Sequence, residues 1–399
     1  MNPEIDLRSN IKKIPQFFQE PIRGMTIHIG LDIGGTLAKV VCVAEKDILK
    51  RINSQYSASV MTHEKYSADE EEISPTELGF TAGDADLGFG MYAFGSRNIT
   101  PLLEFLELLF ATVDTASLVV PVTGGGALKF RREFEEVFPH VVFHKVDEID
   151  AIAKGFSFLV QRPNSAFIFE SRDCSVTPVP AGEVDQPFPL LLVNIGSGVS
   201  MIKIRSATEY ERVQGSPIGG GTVLGLGKAL FNADSFEEIM NLSMAGDSSR
   251  VDLSVGELIG ASPNDDFWNL DTVASSLTKL LSLDKSTVSR ADLAQSIVRM
   301  VSYNIGYVAY LVACLHKCER IYFSGKYVNK HIPTMDAISY AVKFYENWKP
   351  PPIAEESLAH LESGNEPNRS PASLGRKCEV RFLHQEGYVG AIGALLYLQ

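Results

Sequence analysis

Five glycine turns, each at the end of a short apolar run, constrain this chain more than any other feature. They read LDIGGTLAK (31–39), TGGGA (123–127), NIGSGVS (194–200), GGGT (219–222) and FSGKY (323–327). A strand that runs into adjacent glycines can close a hairpin. It can also bring backbone N–H groups up to an anion, because no Cβ stands in the way. In HIGLDIGGTLAKVV (28–41), Ile29, Leu31 and Ile33 alternate with His28, Gly30 and Asp32 before Gly34-Gly35 make the turn. Taken alone, this stretch fits a plain hairpin and a phosphate site equally well. In the second case Gly34, Gly35, Thr36 and Lys39 touch phosphate oxygens and Asp32 holds a magnesium shell. The recurrence of the pattern weighs toward the phosphate site.

The apolar runs between the turns alternate strand and helix, which is an α/β pattern. Residues 26–33 and 38–43 read as a strand and its hairpin partner. PLLEFLELLFAT (101–112) reads as a helix, on Leu102, Leu103, Phe105, Leu106, Leu108 and Leu109. Leu118–Val122 is a buried strand, followed by a helix near 127–137, a strand near 140–144 and a helix near 147–160. The second half opens with Leu190–Asn194, a turn, Ser200–Arg205 and Tyr210–Val213, so the strand–glycine turn–strand unit repeats and predicts a duplicated core. After GGGT the chain reads as helical for a long way. Its longest apolar helix, 292–317, is wide enough to pack on two sides, one of them against a second copy. Ile321–Phe323 is a strand, 333–348 a helix, 379–383 the last strand and 388–397 a closing helix. The chain thus reads as two lobes, 25–161 and 188–399, joined by a polar loop at 162–187. Residues 1–24 read as a flexible arm, 51–75 with the acidic run Asp69–Glu72 as solvated loop, and the proline-containing stretch 350–377 as a disordered insertion.

At 399 residues and 45% hydrophobic, the chain has apolar material for two cores. Its net charge of −13 argues against nucleic-acid or membrane-surface partners, and an anionic substrate must be drawn in by local lysines, arginines and amides. Cys42, Cys174, Cys314, Cys318 and Cys378 are sparse and odd in number, which reads as reduced thiols in a cytoplasmic compartment. Cys314 and Cys318 share a helix face and read as packing. The N-terminal residues show no apolar signal core, and Glu4 and Asp6 argue against a mitochondrial presequence. No run is expected to reach the roughly 20 apolar residues of a membrane span, the longest candidate being Ile305–Leu315.

In order and spacing, the five turns resemble those of the actin/hexokinase/Hsp70 ATPase superfamily. The resemblance implies two ribonuclease-H-like lobes of mixed sheets flanked by helices, with ATP held between them. DIGGT would be the first phosphate loop, NIGSG the second and FSGKY the adenosine loop. Longer motifs narrow this: TGGGALKF, HKVDEIDAIAKG, LLVNIGSGVSMIKI, RVQGSPIGGGTVLGLG, VASS (273–276), NIGYVA (304–309) and EGYVGAIGALL. Together they are similar to the eukaryotic, type II pantothenate kinase family, over residues 26–49, 118–349 and the closing segment. Sugar kinases of the ROK type share the DIGGT loop, but the chain lacks their cysteine-rich zinc motif.

That resemblance implies transfer of the ATP γ-phosphoryl group, with magnesium, to the primary hydroxyl of pantothenate. Glu148 in VDEID matches the catalytic glutamate, a general base for the hydroxyl proton. By pattern alone Asp147, Glu148 and Asp150 read as acids that complement a helix N-terminus. Asp32 matches the acid that organises magnesium. Gly34, Gly35 and Thr36 match the first phosphate cradle, and Lys39 matches a lysine reaching the β/γ oxygens, though by pattern alone it is a solvent-facing strand lysine. Gly196, Ser197 and Gly198 match the second cradle and Gly325 the adenosine turn. Arg212 matches an arginine beside the substrate that also contacts an inhibitory acyl-CoA. Ser197 and Ser200 match serines linked to acetyl-CoA, with ordinary turn and strand chemistry as the other reading, and Gly220, Gly221 and Thr222 complete the substrate and effector side. Family members that have lost this glutamate or arginine are pseudokinases, so the presence of both implies an active enzyme, as a homodimer. The chain departs from the family at Gln385 (with the histidine displaced to His384), Lys326, Thr278 and Tyr345. These departures put the strength of CoA feedback in question. They also keep a second expectation open, a catalytically weak regulatory subunit in a hetero-oligomer with a related kinase chain.

Overall fold

A computed structural model of the chain describes residues 27–56, 86–111, 113, 115, 118–162, 165–171, 173–179, 188–206, 208–260, 270–328, 330–347, 377–384 and 387–398. The arm at 1–24, the acidic run 69–72 and all but the last residue of the insertion expected at 350–377 lie outside the described residues. The chain divides into two compact units. One comprises the described residues up to Gln161 together with those from Gly387 onward, and the other the described residues from Arg162 to His384.

Unit 1 is built on β1 (His28–Ile33), β2 (Leu37–Glu45), α1 (Lys46–Tyr56), β3 (Leu87–Gly95), α2 (Thr100–Phe110), β4 (Val119–Thr123), α3 (Gly126–Lys129), α4 (Arg131–Val137), β5 (Val142–Lys145) and α5 (Glu148–Val160). The strands form one sheet in the order β3-β2-β1-β4-β5. The first three strands are antiparallel neighbours, while β1, β4 and β5 run parallel. The period-2 alternation of β1 sends Ile29, Leu31 and Ile33 into a core with Val40, Leu102, Phe105, Leu106 and Leu109. Each such burial is worth about 1.5–3 kcal/mol. The opposite face of β1 carries His28, Gly30 and Asp32. The single helix expected near 127–137 breaks at Phe130, and β3 lies where the sequence pattern predicts no strand.

Unit 2 contains β6 (Ala166–Glu170), β7 (Ser175–Pro178), β8 (Leu190–Ile195), β9 (Val199–Ile204), β10 (Tyr210–Ser216), α6 (Gly220–Phe231), α7 (Phe236–Ala245), β11 (Leu253–Ser254), α8 (Val255–Ile259), β12 (Val273–Ser275), α9 (Arg290–His316), β13 (Arg320–Ser324), α10 (Ile332–Asn347) and β14 (Glu379–Leu383). Its main sheet runs β10-β9-β8-β13-β14-β6-β7. The first five strands repeat the order and polarity of unit 1, with β8, β9, β10, β13 and β14 standing for β1 to β5. This is the ribonuclease-H-like topology twice over, and the expected duplicated core is present. The stretch 162–187, expected as a connecting loop, instead supplies the hairpin β6–β7, which extends this sheet antiparallel from β14. The small sheet β11–β12 interrupts the long helical region expected after 222. The expectation that no segment could cross a membrane is also corrected. At 27 residues α9 is long and apolar enough by length and composition, and just over half of its most apolar stretch is buried, as in a core helix. Ala294, Ile297, Val298, Val301, Ile305, Ala309 and Tyr310 lie in the core of unit 2.

The chain ends with α11 (Val389–Leu395), which joins unit 1 and not the second lobe, where the sequence had placed it. Glycines let it approach backbone to backbone. A Cβ on Gly30 of β1 would lie 2.2 Å from the Ala391 carbonyl oxygen, and one on Gly393 only 1.7 Å from that of Ala151 in α5. Neither backbone can give way cheaply, so Gly393→Ala is expected to cost at least about 2 kcal/mol. Gly125→Ala, where a Cβ meets nothing within 4 Å, is expected to stay within about 0.5 kcal/mol. Urea unfolding midpoints of the two variants make the comparison.

Candidate active site

The three parallel strands of unit 1 end at one edge of the sheet, the usual place for a ligand in such folds. Asp32 stands at the end of β1, Thr123-Gly124-Gly125-Gly126 follow β4, and Glu148 comes three residues after β5. Asp32 and Lys39 are register partners on β1 and β2, with the ammonium nitrogen 3.9 Å from Oδ2. Both side chains are about four-fifths buried, at 20% and 18% exposure. Asp32 is also in register with Thr123 on β4. Gly124 takes φ +82°, and a Cβ there would lie 2.9 Å from Asp32 Oδ1. One on Gly390, in the first turn of α11, would lie 2.8 Å from Oδ2. The carboxylate therefore sits in a slot with glycine walls. Gly124 belongs to the TGGGA turn and Gly390 to the closing helix, but nothing in the sequence pattern links either to Asp32.

The first turn closes through the Gly34 N–H on the Leu37 carbonyl, at 2.8 Å. That amide is therefore no donor to an anion, while Gly35 and Thr36 are exposed. Asp147 is the N-cap of α5, its side chain accepting from the N–H of Ile149 (2.8 Å) and of Asp150 (3.2 Å). Asp147 thus takes the helix-capping role that pattern alone allowed to any of the three acids. Glu148 begins the helix and is exposed.

Unit 2 repeats this edge with different side chains. Asn194 occupies the place of Asp32, and its register partners are Ser200 on β9 and Ser324 on β13. Gly325 follows at φ +104°, and a Cβ there would lie 2.1 Å from the Ile195 carbonyl oxygen. In the second turn the Gly196 N–H bonds the Gly198 carbonyl at 2.8 Å. The amides of Gly220 and Gly221 bond the carbonyls of Gly196 (2.9 Å) and Ser197 (3.0 Å). These two glycines therefore clamp the turn. The Thr222 hydroxyl donates to the Pro217 carbonyl (3.2 Å) and accepts from the Gly219 N–H (3.3 Å), so it caps α6. Arg212 is exposed on β10 at a bulge, its guanidinium lying over Gly215, where a Cβ would meet it at 2.6 Å. Gly215 is in turn the register partner of Ser200.

The residues that depart from the family pattern have their own partners. Lys326 pairs with Glu237 of α7 at 2.9 Å. Partial burial pushes the Glu237 carboxyl up, and the Lys326 ammonium outweighs this and holds it below its usual value. Thr278 shares a hydrogen bond with Ser275. Tyr345 stacks on Tyr307 at 4.1 Å, within an aromatic cluster that includes Tyr303, Tyr340 and Phe344. His384 packs against Phe167, and Gln385 lies outside the described residues.

Two ribonuclease-H-like units, each with a glycine turn closing its first strand, define the actin/hexokinase class of ATPase fold. The chain belongs to the Fumble family, the type II pantothenate kinases, whose pattern it matches over residues 28–352. It is 32% identical over 380 residues to pantothenate kinase 1 of Arabidopsis thaliana, a match covering 92% of this chain and 84% of that protein. It is 31% identical over 393 residues to pantothenate kinase 2 of the same plant, covering 92% of this chain but 38% of that longer protein. A mouse protein named 4'-phosphopantetheine phosphatase is 33% identical over 370 residues, covering 92% of this chain and 40% of the relative.

His331 lies six residues after Gly325. Its Nε2 contacts the Met240 carbonyl (3.0 Å) and the Ser243 hydroxyl (3.1 Å), and its Nδ1 contacts the Thr334 hydroxyl (2.8 Å). Burial lowers the His331 pKa below 6.5, against an opposing contribution from the Met240 carbonyl. A depressed histidine means that the unfolded chain binds more protons below pH 6.5. The His331 contribution to stability is therefore full above that pH and is lost as pH falls toward the folded value. Thermal unfolding of the wild type between pH 7.5 and 5 is expected to show this loss, and His331→Gln to flatten it.

Proposed function

We propose that this chain is an ATP-dependent pantothenate kinase. The observation that carries the reading is the single sheet edge of unit 1. There a buried, lysine-paired carboxylate at the end of β1 and an exposed glutamate after β5 flank the glycine turn of β4. Membership of the Fumble family supports pantothenate as the acceptor. The hydroxyl oxygen of pantothenate attacks the γ-phosphorus as the β–γ bridging oxygen departs with ADP. Glu148 takes the hydroxyl proton and 4'-phosphopantothenate leaves.

Phosphoryl transfer needs positioning and charge neutralisation more than covalent chemistry. Lys39 supplies one positive charge, 3.9 Å from Asp32. Among the described residues no three His, Cys, Asp or Glu side chains gather to form a metal cage. That fits magnesium, which takes one or two carboxylates and completes its shell with water and phosphate oxygens. Asp32, with glycines beside both oxygens and Lys39 as its ion-pair partner, would hold it. Bound there, the ion would neutralise charge on the transferring phosphoryl group. Arg212, with a fork suited to carboxylate or phosphate, serves the substrate and a competing acyl-CoA beside Ser197 and Ser200. Half-buried Met300 and Leu311, with exposed Leu315, support pairing of two copies through α9. Five cysteines, sparse and odd in number, support a cytoplasmic setting.

The test is 4'-phosphopantothenate formation by the purified chain with ATP and magnesium. Glu148→Gln is expected to lower kcat by about 10²–10⁴-fold while ATP binding persists. A glucose control with no turnover separates this reading from a sugar kinase. A folded wild type that binds ATP and makes no product supports the regulatory-subunit reading instead.

A further inference from the structure

We infer that Thr123 is a positioning residue that sets Glu148 against Asp32, an inference that rests on the kinase reading above. Thr123 ends β4 and is completely buried. Its backbone is in register with Asp32 on β1. Its hydroxyl donates to the carbonyl oxygen of Val146, on the other side of β4, at 3.2 Å. The Val146 N–H is already bonded to the Val122 carbonyl at 2.9 Å. Both polar groups of Val146 are therefore tied to β4, one through backbone and one through this side chain.

The two residues after Val146 give the contact its consequence. Asp147 caps α5 and Glu148 is the first residue of that helix. The start of the helix cannot shift unless the Thr123–Val146 bond lengthens or breaks. Gly124, the residue that follows β4, forms one wall of the Asp32 slot. One short segment thus touches the acid on one side and holds the approach to the base on the other. A general base works within about 2.6–3.2 Å of the proton that it takes. A displacement near 1 Å can cost about 10²-fold in rate. A valine in this place keeps the volume of threonine and lacks the donor, so nothing would hold the Val146 carbonyl.

Kinetics of Thr123→Val and Thr123→Ser beside the wild type, with ATP, magnesium and pantothenate, test the inference. The valine variant is expected to lose about 10–100-fold in kcat, with both KM values within about twofold. The serine variant, which keeps the donor, is expected within about threefold of the wild-type kcat. A valine variant as fast as wild type, or a serine variant slowed as much as the valine one, overturns the inference. If the valine protein does not fold, Thr123→Cys replaces it, since a thiol is a weak donor of similar size. Slow cysteine and fast serine variants support the inference, and equal rates overturn it. Absence of turnover in the wild-type chain overturns the kinase reading first. Amide hydrogen exchange in the same proteins then reports on Thr123 by itself. Faster exchange at Ile149 and Asp150 in the variant lacking the donor supports its hold on the turn, and unchanged exchange overturns it.

Discussion

Where α11 crosses β1 and α5, peptide backbone meets peptide backbone, and unit 1 is organised around that contact. Gly30 on the strand and Gly393 on the closing helix leave no space for even a methyl group. The closeness matters because Asp32 lies on the same face of β1 as Gly30, two residues on. A helix held farther off by side chains would leave the carboxylate in a wide, wet cleft. Held this close, α11 presents Gly390 to Oδ2 while Gly124 closes on Oδ1. The slot is therefore a consequence of helix packing, and a residue near the end of the chain shapes the surroundings of one near its start. The contacts that build it are long-range in sequence, so they are among the slower ones to form in folding.

The electrostatics depend on that geometry. A carboxylate largely removed from water needs a nearby positive charge or donors. Lys39 is the register partner on the neighbouring strand, and at 3.9 Å it provides that charge without a tight hydrogen-bonded contact. A looser pair leaves each group able to turn toward a third. On the proposed kinase reading, that suits an ammonium that also meets phosphate oxygens, in a chain whose net charge of −13 otherwise repels them.

Much of this was legible in the sequence because strands followed by glycine turns are local signals. The alternation of β1, the buried runs of β4, β8 and β13 and the helix of Leu102 to Leu109 depend only on neighbours within a few residues. What stayed hidden depends on distant partners. β3 carries Gly88 and Gly90 and has weak strand propensity, and it is a strand because β2 pairs with it along its whole length. AFIFE (166–170) has a strand pattern, but its polar, proline-containing surroundings suggested a loop, and only the exposed edge of β14 makes it a sheet member. The placement of α11 in unit 1 could not be read from a helix whose every described face is buried. At the site, types of residue were legible and pairings were not. Gly220 and Gly221 looked like ligand-binding amides, and their N–H groups turn out to be bonded to the neighbouring turn.

The two units share one scaffold and differ in the side chains it carries. Position for position, Asp32, Lys39, Thr123 and Gly124 in unit 1 correspond to Asn194, Ser200, Ser324 and Gly325 in unit 2. The parts that shape backbone are kept. Both glycines adopt positive φ and press on the carbonyl that ends the first strand, and both hydroxyl residues are fully buried. The parts that carry charge differ. Unit 1 has an acid and a lysine, while unit 2 has an amide and a hydroxyl at the matching places. An edge with no formal charge at these positions can still offer backbone and hydroxyl groups to an anion. The duplicated scaffold therefore fixes where groups stand, and a few substitutions at matched register positions decide which edge carries the ion pair.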